Sequence, residues 1–233
     1  MARQLTHPPQ AILFDLDGTL LDSAPDLLGA LNRVLGDEGR PPLALAAVRH
    51  LASRGARGML EAAYGEALPG VELASRIEAF IAHYARQPYT ESRPFPGITA
   101  MLAEVERRAL RWGIVTNKNS RLSALVTAAS GWLQRAGCVV SGDTAGAPKP
   151  SPLPVLHACR MLGVEPAAVW LLGDDPRDVA AAQAAGCRAL LAEWGYLDPE
   201  DHETRRRADG CLAHPDDLLA LLDGGDRAGD PAR

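Results

Sequence analysis

Cysteine is scarce in this chain of 233 residues, and the four present, Cys138, Cys159, Cys187 and Cys211, are widely spaced with no CxxC pair. Neither a cysteine zinc site nor a disulfide framework is expected, which leaves packing roles for free thiols in a reducing compartment. Basic charge is not in excess either. With 24 Lys and Arg against 29 Asp and Glu, the net charge of -5 offers no field for holding a polyanion, so nucleic acid is not expected as the main partner. No apolar run approaches the roughly 18 to 20 residues that span a bilayer, and Met1 to Gln10 lack the apolar core of a secretion signal. No membrane partner is expected, and the expected location is the cytoplasm. The six histidines are scattered without ligand spacing and receive no chemical role, and there is no internal repeat.

What is present is apolar mass and punctuation. A hydrophobic content of 47% suffices for one large core, or for a core with a smaller lobe. The stretch Ala11-Ile12-Leu13-Phe14-Asp15-Leu16-Asp17-Gly18-Thr19 delivers two carboxylates, two residues apart, into a glycine turn, as a buried parallel strand does at a reactive edge. Ser23 reads as an N-cap and Pro25 as a first-turn proline of a helix whose Leu27, Leu28, Leu31, Val34 and Leu35 share one face. Helices follow at about 43–52, 59–64 and 72–86, with a glycine-flanked loop, Ser53-Arg54-Gly55-Ala56-Arg57-Gly58, between the first two.

Beyond Pro94-Phe95-Pro96-Gly97 the pattern alternates. Strands are expected at 112–115, about 139–140, 169–172 and 188–192, and helices at 98–108, 120–129, 153–162 and 178–185. Such βα order implies an α/β protein with a doubly wound parallel sheet, built by right-handed crossovers. The tail 224–233, rich in Gly, Asp and Arg without an apolar anchor, reads as disordered.

Ligands on such sheets bind at the carboxyl ends of the strands. Asp15, Thr116 and Asp174 therefore converge, although about 100 and then about 58 positions separate them. The strand ends supply Asp15 and Asp17, Thr116 and Asn117, and the acids Asp174, Asp175 and Asp178, while Lys149 lies in the loop Pro148-Lys149-Pro150. Carboxylates crowded together repel unless a cation neutralises them, and oxygen-only ligands suit Mg²⁺. Beside such an ion, a lysine, a threonine hydroxyl and turn amides make a pocket for a compact dianion, for which phosphate is the obvious candidate.

These residues carry a resemblance. Asp15-Leu16-Asp17-Gly18-Thr19, Thr116-Asn117, Lys149-Pro150 and Gly173-Asp174-Asp175-Pro176-Arg177-Asp178 resemble the four motifs of the haloacid dehalogenase superfamily, in order, over about residues 11–197. The resemblance implies a Rossmann-like core, 1–22 with 94–223, and an inserted all-helical cap, 23–93, hinged at Leu21 to Ser23 and Arg93 to Gly97. It implies that Asp15 is the nucleophile and a Mg²⁺ ligand. Asp17 would be the general acid and base, with its backbone carbonyl on the metal. Thr116, Asn117 and Lys149 would hold phosphate, Asp174 would bind Mg²⁺, and Asp178 would support the ion directly or through water.

Within the superfamily, Phe14 to Ser23, the Ser53 to Arg57 loop, Gly113 to Lys118 and Trp194-Gly195-Tyr196 are similar to bacterial phosphoglycolate phosphatases. N-acetylmuramic acid 6-phosphate phosphatases share a cap loop of this kind. A Mg²⁺-dependent phosphomonoester hydrolase acting on 2-phosphoglycolate is the reading, with the amino-sugar phosphate as the alternative and a sugar phosphomutase behind it. A non-catalytic binding protein on the same scaffold would be expected to have lost one of the motif residues. Arg54 and Arg57, beside Gly55, are either solvated or read a substrate carboxylate. Asp175 is open between helix cap and site, and Trp194 to Tyr196 read as burial over the core. Monomer and homodimer are both open.

Overall fold

A computed structural model of the chain describes residues 8–65 and 69–224. The expectations for the extreme N-terminus and for 225–233 lie outside the described residues.

The first strand, β1 (Ala11–Phe14), is wholly buried. Ile12 and Phe14 enter one apolar cluster while Ala11 and Leu13 enter the other, so an unbroken apolar run fits a strand covered on both faces. The chain then makes the short strand β2 (Leu21–Asp22) and the helices α1 (Ala24–Asp37), α2 (Leu45–Val48), α3 (Gly55–Tyr64) and α4 (Gly70–Arg86). It returns through β3 (Arg93–Pro94) to α5 (Ile98–Arg107), β4 (Arg111–Val115), α6 (Ser120–Ser130) and β5 (Val139–Val140). The last part comprises α7 (Leu153–Leu162), β6 (Val169–Gly173), α8 (Pro176–Ala185), β7 (Arg188–Ala192), α9 (His202–Arg207), β8 (Gly210–Leu212) and α10 (Pro215–Leu222).

Six strands form one parallel sheet in the order β5-β4-β1-β6-β7-β8. Apolar residues of α5, α6 and α10 join one face and those of α7 and α8 the other, giving three layers. The first connection from β1 leads to β4 on one side, and β6 lies on its other side. This reversal of winding makes the end of β1 a topological switch point, where a crevice opens. The three cysteines Cys138, Cys159 and Cys187 are buried in the second apolar cluster, and all four are free.

The structure departs from expectation in several places. The two hinge segments pair with each other as an antiparallel ribbon, Leu21 with Pro94 and Asp22 with Arg93. Asp26 reinforces that junction from the first turn of α1, accepting the N–H groups of Thr90, Glu91 and Ser92 and the Ser92 hydroxyl. Ser23 occupies the N-cap position of α1 but its hydroxyl caps nothing; the acceptor is the Tyr196 phenol, at 2.8 Å from the Ser23 nitrogen and 3.0 Å from that of Ala24. The Ser53 to Gly58 segment is not an open loop: a 3-10 turn, Arg49–Arg54, runs directly into α3. The helix α8 starts at Pro176, two residues before the expected Asp178, because Asp175 caps it. Three further elements go beyond the expected ones: β8, which extends the sheet past β7, and the helices α9 and α10.

Candidate active site

The C-terminal ends of β1, β4 and β6, with the loop before α7, bring the motif residues together. Asp15 leaves β1 still tied to the sheet, its N–H donating to Leu172 O at 2.9 Å. Gly18 then turns the chain at a φ of +88°, and a Cβ there would lie 2.1 Å from Asp174 Oδ2. Only glycine can make this turn so close to the second acid.

Asp15, Asp174 and Asp178 form a cluster in which one oxygen of each lies within 4.8 Å of the others. Thr19 Oγ1 donates to Asp174 Oδ1 at 2.8 Å, and the Tyr196 N–H donates to Asp174 Oδ2 at 2.8 Å. Lys149 is buried beside the cluster, with its Nζ 2.9 Å from Asp15 Oδ1 and 2.5 Å from Asp178 Oδ1, and it donates to Val115 O at 2.6 Å. Each of those two buried oxygens is thus ion-paired with Lys149 and keeps a further lone pair.

Charge accounting follows from this crowding. Burial, then Asp15 and Asp178, raise Asp174 well above the usual carboxylate range. Burial pushes Asp178 up to about 7 although Lys149 pulls the other way, with Asp15 and Asp175 adding repulsion. Burial opposes the Lys149 ammonium, but Asp15 and Asp178 outweigh it and hold the lysine charged. Three carboxylates and one lysine leave a surplus of negative charge among oxygen donors with free lone pairs, a donor set suited to a hard cation.

Asp17 stands apart from that cluster. Lys118 Nζ lies 3.1 and 3.0 Å from its two oxygens and 4.5 Å from the centre of the Tyr84 ring of α4. Thr116 is buried, its hydroxyl accepting the Lys118 N–H at 3.2 Å. The Asn117 amide donates to Lys149 O at 2.9 Å and accepts the Lys149 N–H at 2.8 Å. Its side chain is thus already committed to anchoring the lysine loop. Asp175 caps α8 in a reciprocal box with Asp178 and is held by the Arg177 guanidinium at 2.6 and 2.8 Å. Arg177 also donates to Ser53 O at 2.6 Å, which joins the sheet edge to the cap.

A cavity of about 480 Å³ lies between these residues and the cap. Asp15, Asp17, Thr116 and Lys149 line its floor, and Arg54, Gly55 and Arg57 its cap side, with Leu27, Phe80, Ile81 and Leu122 as apolar wall. Gly58 makes room for Arg54, since a Cβ there would lie 2.3 Å from the Arg54 Cβ. Arg57 is mostly exposed and 3.5 Å from Glu61. The first turn of α3 borders the cavity, and a helix N-terminus favours an anion.

Sequence reasoning quotes Lys118, Thr19 and Arg177 within the motifs but gives them no role, and it misses the roles of Tyr84 and Tyr196. Lys118 and Thr19 had a usable signal, since both sit within three residues of a strand-end acid or hydroxyl. Tyr84 had none, because it comes from the facing helix.

Fold and site together define a hydrolase of the α/β class with an inserted helical cap over an acidic strand edge. The chain belongs to the haloacid dehalogenase-like hydrolase family, whose model matches residues 9–186. It is 37% identical to an N-acetylmuramic acid 6-phosphate phosphatase of Pseudomonas aeruginosa, covering 92% of this chain and 95% of that protein. It is 40% identical to a phosphoglycolate phosphatase of Xanthomonas campestris, covering 90% of this chain and 95% of that one. Its fold matches the crystal structure of a predicted phosphoglycolate phosphatase from Haemophilus somnus with a TM-score of 0.79 at 24% identity, over 93% of this chain and 99% of the other. Among the described residues, no helix is long and apolar enough to cross a membrane.

Proposed function

We propose that the protein hydrolyses a small phosphomonoester, most simply 2-phosphoglycolate, through a phosphoryl group carried on Asp15. The observation that supports this best is the separate pairing of the two acids on the cavity floor: Asp15 is paired with Lys149 and Asp17 with Lys118. The Asp15 carboxylate attacks phosphorus in line and the ester P–O bond breaks, leaving an acyl phosphate on Asp15. Asp17 gives its proton to the departing alkoxide, then takes one from the water that attacks the acyl phosphate. Inorganic phosphate leaves and Asp15 is restored. Throughout, the Lys149 ammonium and the Thr116 hydroxyl hold the phosphoryl oxygens.

The clustered oxygens of Asp15, Asp174 and Asp178, with Lys149 as their one close counter-charge among the described residues, fit a divalent cation, and Mg²⁺ is the ion proposed. When bound by Asp15, Asp174 and Asp178, with the Asp17 carbonyl, it would neutralise the cluster and the charge of the transferring group. Without it, Asp174 and Asp178 bind protons more tightly folded than unfolded. Their favourable contribution is full below the ordinary carboxylate range and is lost as pH rises through their raised values, which for Asp178 is about 7. Mg²⁺ is therefore expected to raise Tm more at about pH 8 than at about pH 5. Equal shifts in thermal melts at both would place the ion elsewhere.

Arg54 and Arg57 support a carboxylate on the substrate, since guanidinium pairs with it bidentately. Arg54→Ala or Arg57→Ala is expected to lower kcat/KM on phosphoglycolate about tenfold or more while sparing p-nitrophenyl phosphate. Unchanged kcat/KM in both variants would remove the arginines from recognition. N-acetylmuramic acid 6-phosphate is the second reading, favoured by a cavity large for a two-carbon acid and by its apolar wall. A phosphate-release panel of these two esters, hexose phosphates and pyrophosphate, with isomer analysis for the hexoses, decides between them; silence on every ester under any divalent metal would overturn the phosphatase reading.

A further inference from the structure

We propose that Tyr196 is a positioning residue that sets how the helical cap stands over the acidic centre, by fastening the hinge to Asp174. The residue follows β7 and is almost fully buried, and burial alone would explain its ring. It does not explain where the polar atoms go. The backbone N–H donates to Asp174 Oδ2 at 2.8 Å. The phenol oxygen accepts from the N–H groups of Ser23 and Ala24 and donates to Asp22 Oδ1 at 2.9 Å. One residue thus ends the first hinge strand and caps α1 through its phenol, in place of the idle Ser23 hydroxyl, while its backbone N–H stays bonded to an acid of the cluster.

The linkage continues on both sides. Asp22 pairs with Arg93 of the returning strand, and its Oδ2 accepts from Arg49 of the cap at 2.8 Å. The Arg49 guanidinium stands 5.5 Å from the centre of the Tyr196 ring, and Phe95, just past β3, packs against the ring at 6.2 Å. Toward the centre, Trp194 Nε1 donates to Thr19 O at 3.0 Å, and Thr19 holds the other oxygen of Asp174. Gly195 between them lies so close that a Cβ would be 2.3 Å from Asp174 Cβ and 2.4 Å from Gly18 O. The segment Trp194 to Tyr196 is therefore pressed against the acidic centre with no room to shift, and the hinge is referenced to it through one phenol.

The activity arm of the test rests on the phosphatase reading; the exchange arm does not. Tyr196→Phe keeps the ring and the backbone N–H and removes only the hydroxyl. It is expected to raise KM for phosphoglycolate about tenfold, the worth of one or two hydrogen bonds, while kcat/KM for p-nitrophenyl phosphate stays within about twofold. Amide exchange at Ser23 and Ala24 should quicken about tenfold, and the Tm shift produced by Mg²⁺ should be unchanged, because the Asp174 bond remains. Arg49→Met reaches Asp22 from the cap side, stands outside the cavity, and serves if Tyr196→Phe folds poorly; it should raise KM in the same way. The double variant should fall short of the product of the two single effects. Equal losses on both esters, an unchanged KM, or independent effects of the two substitutions would overturn the proposal. Should the wild-type chain hydrolyse neither ester, the phosphoglycolate reading fails, and the exchange at Ser23 and Ala24 alone decides the role of Tyr196: quickened exchange supports it and unchanged exchange overturns it.

Discussion

Asp15→Asn is expected to reduce phosphate release by about ten-thousandfold or more while leaving a cooperative thermal transition in place, because the amide cannot form the acyl phosphate. The substitution is nearly isosteric, and its amide oxygen can still face Lys149. It also removes one of three crowded carboxylates. In the absence of divalent cation Tm should therefore be equal or higher, since the negative charges of Asp174 and Asp178 then have one fewer neighbour. Activity loss with gained stability distinguishes a group kept for chemistry from one kept for packing. Initial rates on phosphoglycolate and a thermal melt without metal measure both. Residual turnover within about a hundredfold of wild type would show that another group attacks phosphorus. A clear fall in Tm would show that the Lys149 contact, and not relief of repulsion, dominates at this position.

Much of this site was legible because strand ends are legible. The apolar run Ala11 to Phe14 can only be a strand buried on both faces, and the edge rule then places Asp15, Thr116 and Asp174 together without knowing the crossovers. For Asp175 the sequence leaves cap and site both open, and the structure shows the cap, with reciprocal bonds to Asp178. Contacts across the hinge were not readable. The β2 and β3 strands are two residues each, too short for any periodic signal, and their pairing joins positions 22 and 93. The capping of α1 by Tyr196 could not be foreseen from Ser23, whose type and position are those of an ordinary N-cap. For Asn117 the resemblance implied a phosphate ligand, and the structure shows its side-chain amide bracketing the Lys149 backbone, beside the loop from Ser141 to Pro148. That loop packs tightly enough for a Cβ at Gly142 to meet Asn117 O at 2.6 Å. Local chemistry thus identifies the acids, while the third dimension decides which of their neighbours are already in use.

Lys149→Met tests whether the lysine serves the transferring group or only the carboxylates around it. The side chain is 2% exposed, so methionine fits its stem and removes the ammonium alone. Asp15 and Asp178 lose their shared counter-charge and Val115 O its donor. Leaving buried charges unpaired typically costs about 3 to 5 kcal/mol, so without metal near pH 8 Tm should fall by roughly 10 °C for a chain of this size. Near pH 5 the fall should be much smaller, because Asp174 and Asp178, both raised, take up protons and the repulsion fades. Mg²⁺ should restore part of the stability near pH 8 by supplying positive charge to the same oxygens. It should not restore turnover, which is expected to stay about 100 to 1,000-fold below wild type, the cost of removing a preorganised donor from a developing phosphoryl charge. Melts at the two pH values with and without Mg²⁺, beside initial rates, separate these roles. Turnover recovered by the metal would confine Lys149 to neutralising the acids. A stability loss of the same size at both pH values would mean that the ammonium matters through its bond to Val115 and its packing, and that Asp15 and Asp178 do not depend on it.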